Sequence, residues 1–308
     1  MSALQLPVAA GEPAPRPEPL LRPGNSNCGG CGMSSALQLF SRALGGRRVQ
    51  VVVPASCAAV MAGPFPTTSV GAPVVLSTFG AAAAVATGLA RVAQLNGDGT
   101  RVVCWAGDGG TYDIGMASLS AAAERDEDVL YVCYDNEIYG NTGGQRSSST
   151  PAGAATSNTP AGKPEEKKDI LAIMAAHRVR YAASLSIAHP QDAIRKIGRA
   201  LDTPGFRFLH VLAPCPTGWK SEPALGIELV RLAVRSGLYP VVEIVEGRKL
   251  VVDVEPDFSP EALELYLSLQ RRFQRSGVSA EKLAGEIARS WRDLRARSGR
   301  IVPAEREG

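Results

Sequence analysis

Residues 101–115 read RVVCWAGDGGTYDIG: an apolar strand, a glycine-rich turn holding one carboxylate, then the start of a helix-like stretch. Buried parallel strands appear as nearly unbroken apolar runs, and the turn at such a strand's carboxyl end is where α/β proteins bind ligands. Glycines there let the backbone approach a phosphate, and an aspartate supplies a hard oxygen for magnesium. Taken alone, Gly107-Asp108-Gly109-Gly110 is no more than a turn between a strand and a helix. A second stretch, VLYVCYDNEIYG at 129–140, adds to it. Asn136 follows Asp108 by 28 positions (136 − 108), the length of one helix and one strand. A right-handed crossover of that length sets the two residues at neighbouring strand ends. Asp108, the Asn136 side-chain oxygen and the Ile138 carbonyl then form one face of a magnesium site.

The same alternation extends outward. Short β-branched runs at Val49–Val53, Val102–Cys104, Val129–Tyr134 and Phe206–Leu212 predict strands. Between them, Ser34–Leu44, Ala81–Leu95, Ile114–Arg125, Ile170–Ala176, Ala193–Leu201 and Leu225–Ser236 predict helices. This order predicts an α/β fold, a mainly parallel sheet with helices on both faces, over residues 25–256. Residues 1–24 carry six prolines and read as an extended arm. Residues 257–308 read as a C-terminal helical extension. Leu263, Tyr266 and Leu267 share one face of its first helix, and Leu283, Ile287, Trp291 and Leu294 share one face of its second. Either the extension caps the same core or it docks another subunit. Residues 140–168 show no hydrophobic period, and a loop of that length within a domain is usually functional or disordered.

The chain has 308 residues, 20% of them charged, and a formal net charge of +3, which gives no basis for nucleic-acid binding. No apolar run approaches the roughly 18 residues a membrane span needs. The N-terminus lacks the basic and apolar regions of a signal peptide, so a cytoplasmic location is expected, with reduced cysteines. Of the six cysteines, Cys28 and Cys31 form a Cys-x-x-Cys pair in GNSNCGGCG, Cys57 lies in PASCAAV and Cys215 in APCPTGW. Four thiolates can hold an iron–sulfur cluster or a structural zinc. Cys104 and Cys133 lie inside apolar strands and read as small core residues. His177, His189 and His210 show no metal-site spacing, and His210 reads as a core histidine.

The cysteine set, GDGG, DNEIYGNTGGQRS, the KDI…AAH stretch at 168–177 and APCPTGW together resemble the beta subunits of 2-oxoacid:ferredoxin oxidoreductases, over roughly residues 24–256. The NTGGQRS run and the Cys215 context resemble the pyruvate branch in particular. The resemblance implies thiamine diphosphate, Mg2+ and one 4Fe–4S cluster held by Cys28, Cys31, Cys57 and Cys215. It implies that Asn141 and Thr142 lie against the cofactor, Asn141 with a catalytic role, and that the loop after them wraps the site. Alpha and gamma/delta-type subunits, ferredoxin, coenzyme A and a 2-oxo acid are the implied partners. The glutamate that activates the aminopyrimidine would come from the alpha subunit, so this chain alone would be inactive. One departure is clear: Gly80 and Ala81 stand in STFGAAAAVATG, where relatives often carry an acidic residue and an Asn. Three rival readings remain: the same architecture acting on oxalate, 2-oxoisovalerate or 2-oxoglutarate; a zinc-stabilised interaction module without catalysis; and an electron carrier without thiamine.

Overall fold

The computed structural model describes residues 19–64, 66–274 and 279–297. Four of the six prolines of the expected N-terminal arm lie outside these residues, as does the chain beyond residue 297. Eight strands form one sheet: β1 Val49–Pro54, β2 Val74–Ser77, β3 Arg101–Gly107, β4 Val129–Asp135, β5 Tyr181–Leu185, β6 Arg207–Leu212, β7 Val241–Val245 and β8 Lys249–Val254. Their order across the sheet is β2-β1-β3-β4-β6-β5-β7-β8. The pairs from β2 through β5 are parallel, while β7 and β8 add antiparallel at one edge.

The helices are α1 Gly32–Ala43, α2 Cys57–Ala62, α3 Ala82–Asn96, α4 Met116–Glu124, α5 Ile170–Ala176, α6 Pro190–Asp202, α7 Pro216–Trp219, α8 Gly226–Arg235, α9 Pro260–Ser268 and α10 Ala280–Arg297. They cover both faces of the sheet, and the strand period of two divides the core accordingly. Val103, Trp105, Leu130, Val132 and Tyr134 face one layer with residues of α1, α6 and α8. Val102, Cys104, Val129, Tyr131 and Cys133 face the other, with residues of α3, α4 and α5. Both faces are therefore buried, which is why β3 and β4 read as nearly continuous apolar runs, while β6 buries Arg207 and His210 among its apolar residues. Cys104 and Cys133 are fully buried among them. The C-terminal helices join both layers: Tyr266 packs in the first, and Leu263, Leu283, Ile287 and Trp291 in the second.

Two expectations shift in detail. The helix predicted from Ile114 begins at Met116, because Gly109–Asp113 forms a π-helical turn first. That turn draws Gly115 so close to the Gly110 carbonyl that a Cβ on Gly115 would lie 1.9 Å from its oxygen. Four strands, β2, β5, β7 and β8, were not singled out by sequence. β2 is a four-residue edge strand, and β5, YAASL, owes its place to pairing rather than to β-branched residues.

The chain runs from β1 outward to β2 and then returns to β3 on the other side of β1. This places a topological switch between β1 and β3, the crevice where open α/β sheets bind ligands. Among the described residues, no helix is long and apolar enough to cross a membrane.

Candidate functional site

β3 and β4 pair with Gly107 opposite Tyr134, so the residues after each strand emerge side by side. Asp108 follows β3, and Asn136, Glu137 and Ile138 follow β4. The Asn136 amide reaches within 2.8 Å of both Asp108 Oδ1 and the Ile138 carbonyl oxygen. With the amide oxygen turned inward, three acceptors crowd together and repel unless a cation lies among them. With the amide nitrogen turned inward, it donates to both oxygens. For ligands about 2.0–2.1 Å from one centre, adjacent corners of an octahedron stand roughly 2.9 Å apart. The two spacings about the Asn136 amide thus match adjacent corners of a magnesium octahedron.

The charge balance agrees. Asp108 is buried, and burial first, then the nearby Asp135 carboxylate, push its carboxyl well above the usual range. A hydrogen bond from Ser147 Oγ to Oδ2 (2.5 Å), one from the backbone N–H of Asp108 itself, and then Lys167 work against this without outweighing it. A divalent cation would supply the missing countercharge. Asp135 is satisfied differently. Burial also disfavours its charge, but Lys167 (2.6 Å) and His210 (2.8 Å) outweigh burial and hold the carboxyl below the ordinary range. Ser149 Oγ lies 2.5 Å from both its oxygens. His210 is a buried, partnered histidine, touching Asp135, Tyr112 and Tyr239.

Gly109 has a packing reason beyond phosphate approach. A Cβ there would lie 2.3 Å from the Tyr139 ring, and one on Gly110 3.3 Å from the Phe79 ring. The Tyr139 hydroxyl donates to Asp113 at 2.9 Å, which fixes the ring over the turn. At the departing positions, Gly80 offers its carbonyl to Ser118 Oγ (2.7 Å), and Ala81 occupies the N-cap of α3 without a side-chain bond. Neither brings a polar side chain to the site.

The segment after Ile138 turns back on itself, with Tyr139 N donating to the Gln145 carbonyl at 3.0 Å. Asn141 and Thr142 sit at its exposed tip. Asn141 Oδ1 accepts from Cys57 Sγ at 3.3 Å, whereas Thr142 Oγ1 is engaged by Gln145 Oε1 within the turn. Beyond the turn the chain folds down over the site. Ser147 bonds Asp108, Ser148 bonds Asp113, Ser149 bonds Asp135, and Thr150 Oγ1 donates to the Glu137 carbonyl at 2.7 Å. The four consecutive hydroxyls thus cap acceptors of the two strand-end loops. Sequence reading missed them, because a Ser/Thr run carries no signal that separates a capping strap from a solvated loop.

The four candidate cysteines lie on segments at the carboxyl ends of β1 and β6 or tied to them. Cys57 opens α2 just after β1, and Cys215 precedes α7 just after β6, accepting from Gly218 N at 3.3 Å. The Cys28–Cys31 loop is tied to both: Gly32 N donates to the Pro214 carbonyl (2.9 Å) and Ser26 Oγ to the Val60 carbonyl (3.1 Å). Glycines make room for these sulfurs, since a Cβ on Gly140 would lie 3.5 Å from Cys57 Sγ and one on Gly218 3.3 Å from Cys215 Sγ. Burial, then the thiols of Cys215 and Cys31, the Asp108 carboxylate and Cys28 push the Cys57 thiol up to about 12. Burial also raises Cys215, with Cys31 and Cys28 adding to it. Cys57 and Cys215 thus each sense the other candidate cysteines, and burial favours their protonated form unless a positive centre binds them. Yet among the described residues no three His, Cys, Asp or Glu side chains stand close enough to hold one metal ion. A single zinc would draw its sulfurs to about 3.8 Å apart at Zn–S distances of about 2.3 Å. A four-iron cluster is a larger body, with its ligands farther apart.

Comparison with known proteins agrees with this geometry. Residues 55–211 match the family model described as thiamine pyrophosphate enzyme, C-terminal TPP binding domain. The chain is 41% identical over 284 residues to ketoisovalerate oxidoreductase subunit VorB of Pyrococcus horikoshii, covering 88% of this chain and 91% of that protein. It is 42% identical over 266 residues to pyruvate synthase subunit PorB of Methanothermobacter thermautotrophicus, covering 83% and 90%. Among solved structures it is similar to a 2-oxoglutarate:ferredoxin oxidoreductase from Magnetococcus marinus, determined with 2-oxoglutarate, coenzyme A and succinyl-CoA bound. The TM-score is 0.57 at 25% identity, over 68% of this chain and 79% of that one. With a thiamine-diphosphate-binding fold and relatives aligned over most of its length, the chain belongs to the thiamine-diphosphate-dependent 2-oxoacid:ferredoxin oxidoreductases, as a beta subunit.

Proposed function

We propose that this subunit holds magnesium and the cofactor diphosphate through Asp108, Asn136 and Ile138, with the Gly107–Gly110 turn beside them. Cys28, Cys31, Cys57 and Cys215 hold one 4Fe–4S cluster, and the assembled enzyme converts pyruvate and coenzyme A into acetyl-CoA and carbon dioxide, reducing ferredoxin. The observation that carries this reading is the contact of Asn141 with Cys57, at the end of the same loop that supplies Asn136 and Ile138. One short stretch of chain thereby touches both a cation face and a candidate cluster ligand.

Bound thiamine diphosphate supplies the electron sink that loss of carbon dioxide from a 2-oxo acid requires. The protein's own residues position and shield. Ser147 orients the Asp108 carboxylate, keeping Oδ1 toward the cation. The Ser147–Thr150 strap covers the loops and excludes water from beneath them. Asn141, exposed at the turn's tip and bonded to the Cys57 sulfur, would hold the cofactor once it is bound. The aminopyrimidine-activating glutamate and the substrate-carboxylate contacts come from the alpha subunit. Gamma/delta-type subunits and ferredoxin receive the electrons.

Pyruvate is the substrate favoured by the NTGGQRS and APCPTGW stretches; 2-oxoisovalerate is the second reading, favoured by the named activity of the Pyrococcus relative. The test is the complex purified without oxygen, with iron, sulfide, magnesium and thiamine diphosphate quantified together. Coenzyme A-dependent viologen reduction is then measured across pyruvate, 2-oxoisovalerate, 2-oxoglutarate and oxalate. At least four irons per beta chain and the highest kcat/KM with pyruvate are expected. Zinc without iron would overturn the cluster, and a preference for 2-oxoisovalerate would replace the substrate.

A further inference from the structure

Arg272 lies outside the matched thiamine-binding region, in a short turn (Arg271–Phe273) after α9, yet it is 2% exposed. Its NH2 donates to Glu137 Oε2 at 2.7 Å and to the Tyr266 hydroxyl at 3.3 Å, and its Nε donates to Gln270 Oε1 at 2.9 Å. The guanidinium carbon stands 4.1 Å from the centre of the Trp219 ring. Its carbonyl accepts from Ala155 N at 2.7 Å, so the long loop is tied to it as well.

Each of these partners leads to the site. Glu137 is the residue between Asn136 and Ile138 and adopts a left-handed backbone (φ +61°), which a non-glycine residue holds only when its surroundings enforce it. Lys167 takes its other carboxylate oxygen at 3.1 Å. Trp219 Nε1 donates to the Asn136 carbonyl at 2.9 Å, and Trp219 N donates to the Cys215 carbonyl at 2.7 Å. One buried cation from the C-terminal extension thus grips the turn that presents two candidate magnesium ligands. Through Trp219 it also grips the turn that presents a candidate cluster ligand.

We infer that Arg272 is a positioning residue. It holds the Asn136–Ile138 turn in its ligating conformation and locks it to the Cys215 turn, so the magnesium and cluster sites keep one fixed separation. The inference rests on the assignment of Asp108, Asn136 and Ile138 to magnesium. Arg is suited to the task because its planar fork can bind a carboxylate while its face stacks on an aromatic ring, which Lys cannot do.

The test uses the assembled complex, purified without oxygen, stripped of magnesium and titrated with Mg2+ at saturating thiamine diphosphate, with tryptophan fluorescence as the readout. Iron content and the electron paramagnetic resonance signal of the dithionite-reduced protein are measured on the same samples. For Arg272→Gln the apparent Kd for Mg2+ is expected to rise about 10–100-fold, the usual effect of losing a partner behind a metal ligand. Its resonance signal is expected to change at unchanged iron content. Arg272→Lys should recover part of the Mg2+ affinity and leave the resonance altered, because Lys keeps the charge on Glu137 but not the stack on Trp219. A purely structural role would lower the melting temperature and leave both readouts in place. Arg272→Gln with Mg2+ affinity within twofold of wild type would overturn the inference. If that variant fails to assemble, Glu137→Gln replaces it: a shift of similar size supports the inference and an unchanged affinity overturns it. Failure of the wild-type complex itself to bind Mg2+ with thiamine diphosphate would instead strike the magnesium assignment.

Discussion

Replacing Ser147 with Ala removes one hydroxyl and asks whether the strap tunes the cation site. In the wild type, Asp108 Oδ1 faces the Asn136 amide while Oδ2 accepts from Ser147 Oγ at 2.5 Å. Both groups are buried, so no water replaces the lost donor. A hydrogen bond to a charged group contributes about 1.5–3 kcal/mol. At 1.4 kcal/mol per decade this predicts roughly a 10–150-fold loss of Mg2+ affinity, in the range known for partners behind metal ligands. The loss should be overcome by added Mg2+, leaving kcat near wild type at saturation, since the hydroxyl touches no reacting atom. The assay is a Mg2+ titration of the magnesium-free complex at saturating thiamine diphosphate, followed by activity and by fluorescence. Ser149→Ala is the control: its hydroxyl serves Asp135, which keeps Lys167 and His210, so Mg2+ affinity should hold while stability falls. Equal Mg2+ affinities for Ser147→Ala and wild type, with iron retained, would refute the reasoning.

Serine substitution of Cys28, Cys31, Cys57 or Cys215 should each lower the iron content of the complex sharply. Cys104→Ala, in the buried core, should leave iron intact at a stability cost of about 1–2 kcal/mol. Gly115→Ala should prevent folding, because its Cβ would meet a backbone carbonyl; Gly109→Ala meets only the Tyr139 ring and should give a folded complex with weakened cofactor binding, as judged by expression, melting temperature and thiamine diphosphate content. His189 titrates below its ordinary value, through burial first and then Arg231 and Lys196, against the opposing pull of Asp192. The unfolded chain therefore binds more protons than the folded one between that lowered value and about 6.5, so stability rises with pH across this window. In melting curves of the complex, His189→Gln should gain relative to wild type at pH 5.5 and lose that advantage by pH 8; a pH-independent difference would count against it.

The parts of the candidate site whose position was legible in the sequence are those at the ends of strands. Asp108 and Asn136 follow apolar runs whose length and burial are written in composition, and one helix between two strands leaves little choice about where they emerge. The cysteines were readable as a set, though only the fold shows how a loop before α1 reaches the ends of β1 and β6. What stayed hidden is polar and distant. Glu137 and Arg272 are 135 residues apart, and neither carries a local signal of its partner. Lys167, in the run EEKK, looks like a solvated charge, yet it neutralises the buried Asp135. Removing one partner from such a buried pair typically costs about 3–5 kcal/mol, so its silence in the sequence does not make it minor. The tail beyond residue 256 likewise reads as amphipathic helix, which is correct for Leu263 and Trp291 and uninformative about the one arginine that reaches the site.

Strand pairing sets the starting level of the two turns that carry the candidate centres, before any loop contact acts. Asp135 pairs with Leu212 at the ends of β4 and β6, and Ala213 N donates to the Asp135 carbonyl at 2.8 Å, extending the ladder one step into the loops. Asn136 is one residue beyond this rung and Cys215 is three beyond Leu212, so at about 3.3 Å per extended residue the two turns start within roughly 10 Å of a common level. Gly218 then closes the gap: a Cβ there would lie 2.8 Å from Ile138 Cγ2, so the Cys215 turn packs directly on Ile138, whose carbonyl is a candidate magnesium ligand. A one-residue slip of β6 against β4 would reverse every core side chain on the strand, a cost no loop could offset. Strand pairing therefore sets the level at which the two turns leave the sheet, and loop contacts, those of Arg272 with Glu137 and Trp219 among them, hold the turns to one another from there.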